Sequence, residues 1–203
     1  MINSHFFLGI PETFQNVCWI YPPKIKDILE EKDYSVYRKL FLSSQEDIED
    51  EYADLGLSLS EVPTPLQYIF TLIKADERLE PIIKRGFEFF IHEPVTLVEA
   101  KCIIIIGDLN KEIQHVKSVE DLRLLTEDNY FDFQNKLREA LGEKIIEPYN
   151  PDENPKVKYF KAKARLRDKV KAKSKDSLTL GSTLAAICCM DFGLNPLNIG
   201  ELS

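Results

Sequence analysis

Residues 147–155, EPYNPDENP, carry three prolines in nine positions. Each proline removes a backbone donor and biases the residue before it toward extended backbone, so no helix or inner strand runs through such a stretch. The chain therefore divides there: residues 1–146 form a mixed helical domain, 147–155 a linker, and 156–203 a separate C-terminal part. Charge changes at the same place. Residues 156–175, KVKYFKAKARLRDKVKAKSK, hold ten of the 26 basic residues and one acid, Asp168. The net charge of −8 thus conceals a window at +9 and a remainder at −17, with 16 basic against 33 acidic residues. A split this steep points to a basic arm that meets an acidic surface. That surface could belong to the same protein, to a neighbouring copy or to nucleic acid.

Hydrophobic periodicity reads as mainly α (α+β): a helical domain with short N-terminal strands and one small β-hairpin, followed by a basic helix and an apolar helix. Strands are expected around residues 6–8 and 17–21, broken by Gly9 and Pro11 and ended by YPP. Pro23 suits a helix start, with Ile25, Ile28 and Leu29 as an apolar stripe. A second helix covers residues 34–42. Ser44 then caps an acidic helix closed by Gly56, and Thr64 caps another in which Leu66, Ile69, Phe70 and Ile73 repeat at helical spacing. A helix over 78–90 precedes β-branched residues at 95–98 and 102–106, which predict a hairpin turning near Ala100. SVEDLRLLT, residues 118–126, reads as a short helix with Ser118 and Asp121 in capping-box positions. Thr126 and Gly142 bracket a longer one. Alternating lysines behind the linker would give a strand one basic face. The Ala, Lys, Arg and Leu content favours helix instead, with Tyr159, Ala162, Leu166 and Val170 on one side. The closing helix runs from about 178 to 191.

Every catalytic or metal-binding pattern fails on spacing. Gly181-Ser182-Thr183 lacks the lysine and upstream glycine of a phosphate loop. No G-x-S-x-G elbow occurs, and His5, His92 and His115 fall on three separate predicted elements. The acids at 46–54 imitate a calcium loop in composition alone, with Tyr52 where that loop needs glycine. The four cysteines contain no C-x-x-C pair, so packing in a reducing compartment is their expected role. No apolar run approaches a membrane span, and no basic region precedes the short apolar run near the start. The chain is read as non-enzymatic, without metal or cofactor. Partner binding falls to the basic residues Lys161, Lys163, Arg165, Arg167 and Lys169, and to the apolar stripe Leu184, Ile187, Cys188 and Phe192. Lysines gripping phosphates would make it a nucleic-acid-binding accessory protein instead, though only Tyr159 and Phe160 could stack on bases.

Several stretches taken together carry a resemblance: PETFQNVCWIYPPKIKDILE, SQEDIEDEY, FFIHEPVT, YFDFQNKLREALGEKIIEPYNPDENPK, KAKARLRDKVKAK and LAAICCMDFGLNPLNIGELS. With them the chain resembles a family of small tail-morphogenesis proteins encoded by tailed phages and prophages of low-GC Gram-positive bacteria. Members behave as assembly chaperones for the tape measure protein. The resemblance spans nearly the whole chain and is most specific over its last fifty residues. It implies a protein in the cytoplasm of an infected host that binds the tape measure or another tail protein during virion morphogenesis. Coating an extended helical client also implies a repeatable self-contact and an adaptable apolar groove.

Overall fold

Ser44 and Thr64 each stand immediately before a helix and satisfy amides that the first turn leaves without partners, and Thr126 stands at the same place before a third helix. Ser44 Oγ accepts from the Asp47 amide at 3.1 Å while Asp47 Oδ2 accepts from the Ser44 amide at 3.0 Å. Thr64 and Gln67 exchange the same pair of bonds, and Asn129 Oδ1 accepts from the Thr126 amide at 2.8 Å. In this computed structural model the described residues are 9–58, 61–107, 122–150, 153–154, 156–157, 160–161, 163–165 and 167. They belong to two compact units that divide between Glu147 and Pro148.

The first unit opens with an antiparallel hairpin of β1 (Glu12–Phe14) and β2 (Cys18–Ile20), in which Phe14 faces Cys18 and Thr13 faces Trp19. Five helices follow in order: α1 (Ile25–Glu30), α2 (Tyr34–Leu42), α3 (Gln45–Asp54), α4 (Pro65–Ala75) and α5 (Leu79–Ile91). A second sheet, ordered β3-β4-β5, is antiparallel throughout and consists of β3 (Val95–Val98), β4 (Ile103–Ile106) and β5 (Leu124–Leu125). Helix α6 (Glu127–Ala140) closes the unit. The observed class is the expected one, mainly α with two small sheets.

The core is aromatic. Tyr37, Phe41, Phe87, Phe90, Tyr130 and Phe133 are buried where α2, α5 and α6 meet, and the Phe41 and Phe87 ring centres lie 4.4 Å apart. Phe14 reaches into this cluster from the first hairpin and meets the Phe133 ring edge-on at 5.6 Å. Burying each such ring stabilises the fold by roughly 1.5–3 kcal/mol relative to leaving it in water.

Polar residues on the buried face of α6 have a specific task. Its buried positions Tyr130, Phe133, Gln134, Leu137 and Arg138 follow the helical period, yet two of them are polar. Gln134 Nε2 donates to the carbonyls of Phe41 (2.8 Å) and Ser43 (3.1 Å), and Arg138 donates to the carbonyl of Leu42. Three carbonyls that α2 leaves open at its C-terminal end are therefore closed by side chains of α6. Past Gly142, at φ +67°, Glu143 accepts from Arg38 Nε at 3.0 Å and pairs with Arg138. Asn135 then exchanges two 3.0 Å bonds with the backbone of Ile146, which straps the exit segment along α6.

Four expectations need correction or refinement. The partner of β2 is residues 12–14, directly behind Pro11, where a break was expected; alternation puts Phe14 inward and Thr13 outward. The stripe Ile25, Ile28 and Leu29 is not a core face: α1 buries no residue, and Leu29 is 61% exposed. Leu124 and Leu125, expected at the end of a short helix, are strand, because they complete the sheet opposite Ile105 and Ile104. The hairpin of β3 and β4 turns through a short 3-10 segment, Glu99–Lys101, and Cys102 takes a positive φ in the turn rather than opening β4. The expected strand at 6–8, the positions Ser118 and Asp121, and the expected closing helix lie outside the described residues.

Candidate functional site

Asn154 begins the one element described in the second unit. Its Oδ1 accepts from the Lys156 amide at 2.9 Å and its carbonyl accepts from the Val157 amide at 2.8 Å, an N-cap arrangement. The described residues behind it, 156–157, 160–161, 163–165 and 167, are helical. The sequence signal for this start was the dipeptide Asn154-Pro155, a capping residue followed by the residue favoured at the first helical position.

Turning at about 100° per residue, the helix sorts these positions onto two sides. Lys156, Val157, Phe160, Lys163, Ala164 and Arg167 are exposed, and all six fall within an arc of about 120°. Lys161 and Arg165, one turn apart, are only half exposed and lie beyond that arc. Within the exposed arc the chemistry is again divided. Lys156, Lys163 and Arg167 share one edge, while Phe160, Ala164 and Val157 run beside them. A stripe of cations thus adjoins an apolar stripe, and Phe160, 66% exposed, sits along the boundary.

Sequence reasoning grouped Lys161, Lys163, Arg165, Arg167 and Lys169 as one basic set. The helix brings Lys163 and Arg167 together on its solvent side and directs Lys161 elsewhere. Lys161 Nζ meets Glu153 Oε1 at 2.7 Å, a carboxylate from the linker. Lys156 and Val157 join the face although the sequence did not single them out, and Phe160, named there as a residue that could stack on bases, lies along it. Their signal was the recurrence 156, 160, 163, 167, masked by the near-strict alternation of lysine. Lys169, Leu184, Ile187, Cys188 and Phe192 lie outside the described residues, as do Tyr159, Ala162, Leu166 and Val170.

Several potentially reactive side chains lie among the described residues of the first unit. Cys18 is buried, and burial first, then the charge of Glu93, pushes its thiol up to about 12, with Arg123 opposing. Such a thiol stays protonated and is a poor nucleophile. Cys102 points its sulfur at the carbonyl of its own turn, Glu99 O, at 3.6 Å. His92 ends α5 at φ +55° and stacks its exposed ring on Tyr21, 4.1 Å between centres. The Tyr130 hydroxyl is pushed far up by burial alone. The acids of α3 form a capped helix in which Ile48 is the buried residue, Asp47 closes the cap and Glu51 pairs with Lys39 at 3.2 Å. Among the described residues no group of three or more His, Cys, Asp or Glu side chains is placed to hold a metal ion. No helix among them is long and apolar enough to cross a membrane.

A two-striped face of this kind can dock, steer and release a partner, with cations guiding approach and apolar side chains excluding water. No protein-family model matches the chain, and neither a curated protein nor a solved structure is similar to it.

Proposed function

We propose that this chain is a non-enzymatic assembly protein of a tailed phage or prophage, a chaperone-like binder of the tape measure or another tail protein in the cytoplasm of the infected host. The solvent face of the basic helix carries this reading: Lys156, Lys163 and Arg167 beside Phe160, Ala164 and Val157. It pairs charge with exposed apolar area behind a proline-rich linker, as a docking element does. The sequence resemblance names the class of client, and the cation stripe suits an acidic one. The decisive experiment is co-expression of the full chain with the tape measure protein of the same phage or prophage genome, followed by affinity capture in moderate salt. Co-purification that is lost in K163E/R167E supports the reading; a tape measure protein that never co-purifies overturns it. The competing reading, a nucleic-acid-binding accessory protein, draws on one observation, the exposed Phe160 ring next to three cations. It requires binding to single-stranded DNA that weakens steeply with salt.

A further inference from the structure

We propose that residues 143–146 form a latch, with Glu143 as its catch and Asn135 as its second hold, which opens and closes as a unit while α6 stays folded. Opening adds these residues to the proline-rich linker that begins at residue 147. It lengthens that tether by up to about 14 Å, at roughly 3.3–3.6 Å per residue.

The turn that sends the chain back along α6 is made by backbone. The Glu143 amide donates to the Arg138 carbonyl at 2.8 Å and the Gly142 amide to the Glu139 carbonyl at 3.1 Å, with Gly142 at φ +67° between them. This paired-bond ending closes a helix without help from side chains. Beyond it the hold passes to side chains. Glu143 Oε1 accepts from Arg38 Nε of α2 at 3.0 Å, and its Oε2 accepts from Arg138 Nη1 of α6 at 3.4 Å. Asn135 engages both backbone groups of Ile146 at 3.0 Å each. Ile145, the first large apolar side chain after the turn, is 53% exposed and does little to hold the segment down. Partly exposed charge pairs are weak and screened by salt, and the Arg38 side chain is 51% exposed. Opening therefore costs far less than unfolding α6, whose Tyr130, Phe133 and Leu137 belong to the core. A restoring force acts on the open state. Arg138 is buried, and desolvation opposes its charge while Glu143 supports it. Opening takes a carboxylate away from a desolvated guanidinium, which draws the catch back.

The test is amide hydrogen exchange by NMR on the full chain, with tryptic cleavage after Lys144 as a second readout. In the parent the Ile146 amide should exchange at least about tenfold faster than the Phe133 and Leu137 amides, yet at least about tenfold slower than in an unfolded peptide. Glu143→Gln and Asn135→Ala should each speed Ile146 exchange and release of the 1–144 fragment by about tenfold. Both should leave the Phe133 and Leu137 amides within about twofold of the parent. Raising salt from 0.1 to 1 M shortens the Debye length from about 10 to about 3 Å. That change should speed Ile146 exchange in the parent and in Asn135→Ala and leave Glu143→Gln nearly unmoved. Ile146 exchanging at the rate of Phe133 and Leu137 means that the segment opens only with the whole unit, and overturns the proposal. Exchange as fast as in an unfolded peptide means that nothing is latched, and does the same. A salt response equal in the parent and Glu143→Gln removes Glu143 as the catch. Variants that speed Phe133 and Leu137 as much as Ile146 show contacts that support the core rather than a latch, and also overturn it.

Discussion

Gly86 lies mid-way along α5 where that helix crosses α2. A Cβ built on it would stand 2.5 Å from Phe41 Cε2, 2.8 Å from Tyr37 Cδ1 and 2.9 Å from Phe41 Cζ. Both rings are buried and take part in the aromatic cluster, so neither can swing into solvent to make room. Two opposing terms decide the outcome of Gly86→Ala. Alanine is the better helix former by about 0.8–1 kcal/mol. Forcing a methyl group into a packed core costs about 1–3 kcal/mol in displaced side chains and backbone. Three contacts below 3.0 Å put the clash in the upper part of that range, for a net destabilisation of about 1–2 kcal/mol. At about 2–4 °C per kcal/mol for a chain of this length, melting should fall by roughly 2–8 °C. The assay is thermal and urea unfolding followed by circular dichroism, with Gly86→Ser and Gly86→Val as steps of increasing size. If Gly86→Ala melts at or above the parent temperature, helix propensity has won and α2 does not approach α5 this closely.

Other consequences follow from the same packing. Gln134→Ala should cost about 1–3 kcal/mol, because the carbonyls of Phe41 and Ser43 lose a buried donor; Gln134→Leu, which keeps the volume, should cost nearly as much by urea unfolding. Tyr130→Phe should be neutral or stabilising by up to about 1 kcal/mol, since its buried hydroxyl finds no hydrogen-bond partner among the described residues. Alkaline pH should destabilise the fold. Burial raises the Cys18 thiol from 9.0 to about 12 and, with Glu31 adding to it, the Tyr37 hydroxyl from 10.0 to about 12. Both groups favour folding while protonated, so their contribution is complete below about pH 9 and is lost as pH rises toward 12. A melting series from pH 8 to 11 should therefore fall more steeply for the parent than for Cys18→Val; parallel curves would contradict this. A chain ended after Glu147 should still unfold cooperatively, since among the described residues every buried member of the aromatic and aliphatic core lies between Phe14 and Ala140; a non-cooperative melt would show that residues beyond Glu147 are needed.

Elements governed by local chemistry were legible in the sequence. Thr64, Pro65 and the row Leu66, Ile69, Phe70, Ile73 specify α4 by cap, first-turn proline and period, and all four apolar residues are buried. Ser44 with Asp47, and Gly142 at its positive φ, are signals of the same kind. What failed depended on partners distant in sequence. Leu124 and Leu125 carry a helix-compatible pattern and become strand because β4 offers an edge about twenty residues earlier. Ile25, Ile28 and Leu29 have helical spacing, yet nothing packs over them closely enough to bury them. Gln134 and Arg138 are polar residue types with no local signal for burial; their role appears only once the end of α2, some ninety residues away in sequence, is brought beneath them.

The basic helix joins both kinds of information. Its composition announced a helix, but the alternation of lysine hid the division into a cation stripe and an apolar stripe, because alternation is a period of two laid over one of 3.6. Charge counted along the chain makes the five cations from Lys161 to Lys169 equivalent. Charge placed on the helix makes Lys163 and Arg167 partners of Lys156 and Phe160, and assigns Lys161 to Glu153. Charge reversal at Lys161 should then disturb the linker contact and leave partner affinity within about twofold, whereas the same reversal at Lys163 should remove most of it. Equal losses at the two positions would mean that net charge, not the face, governs binding.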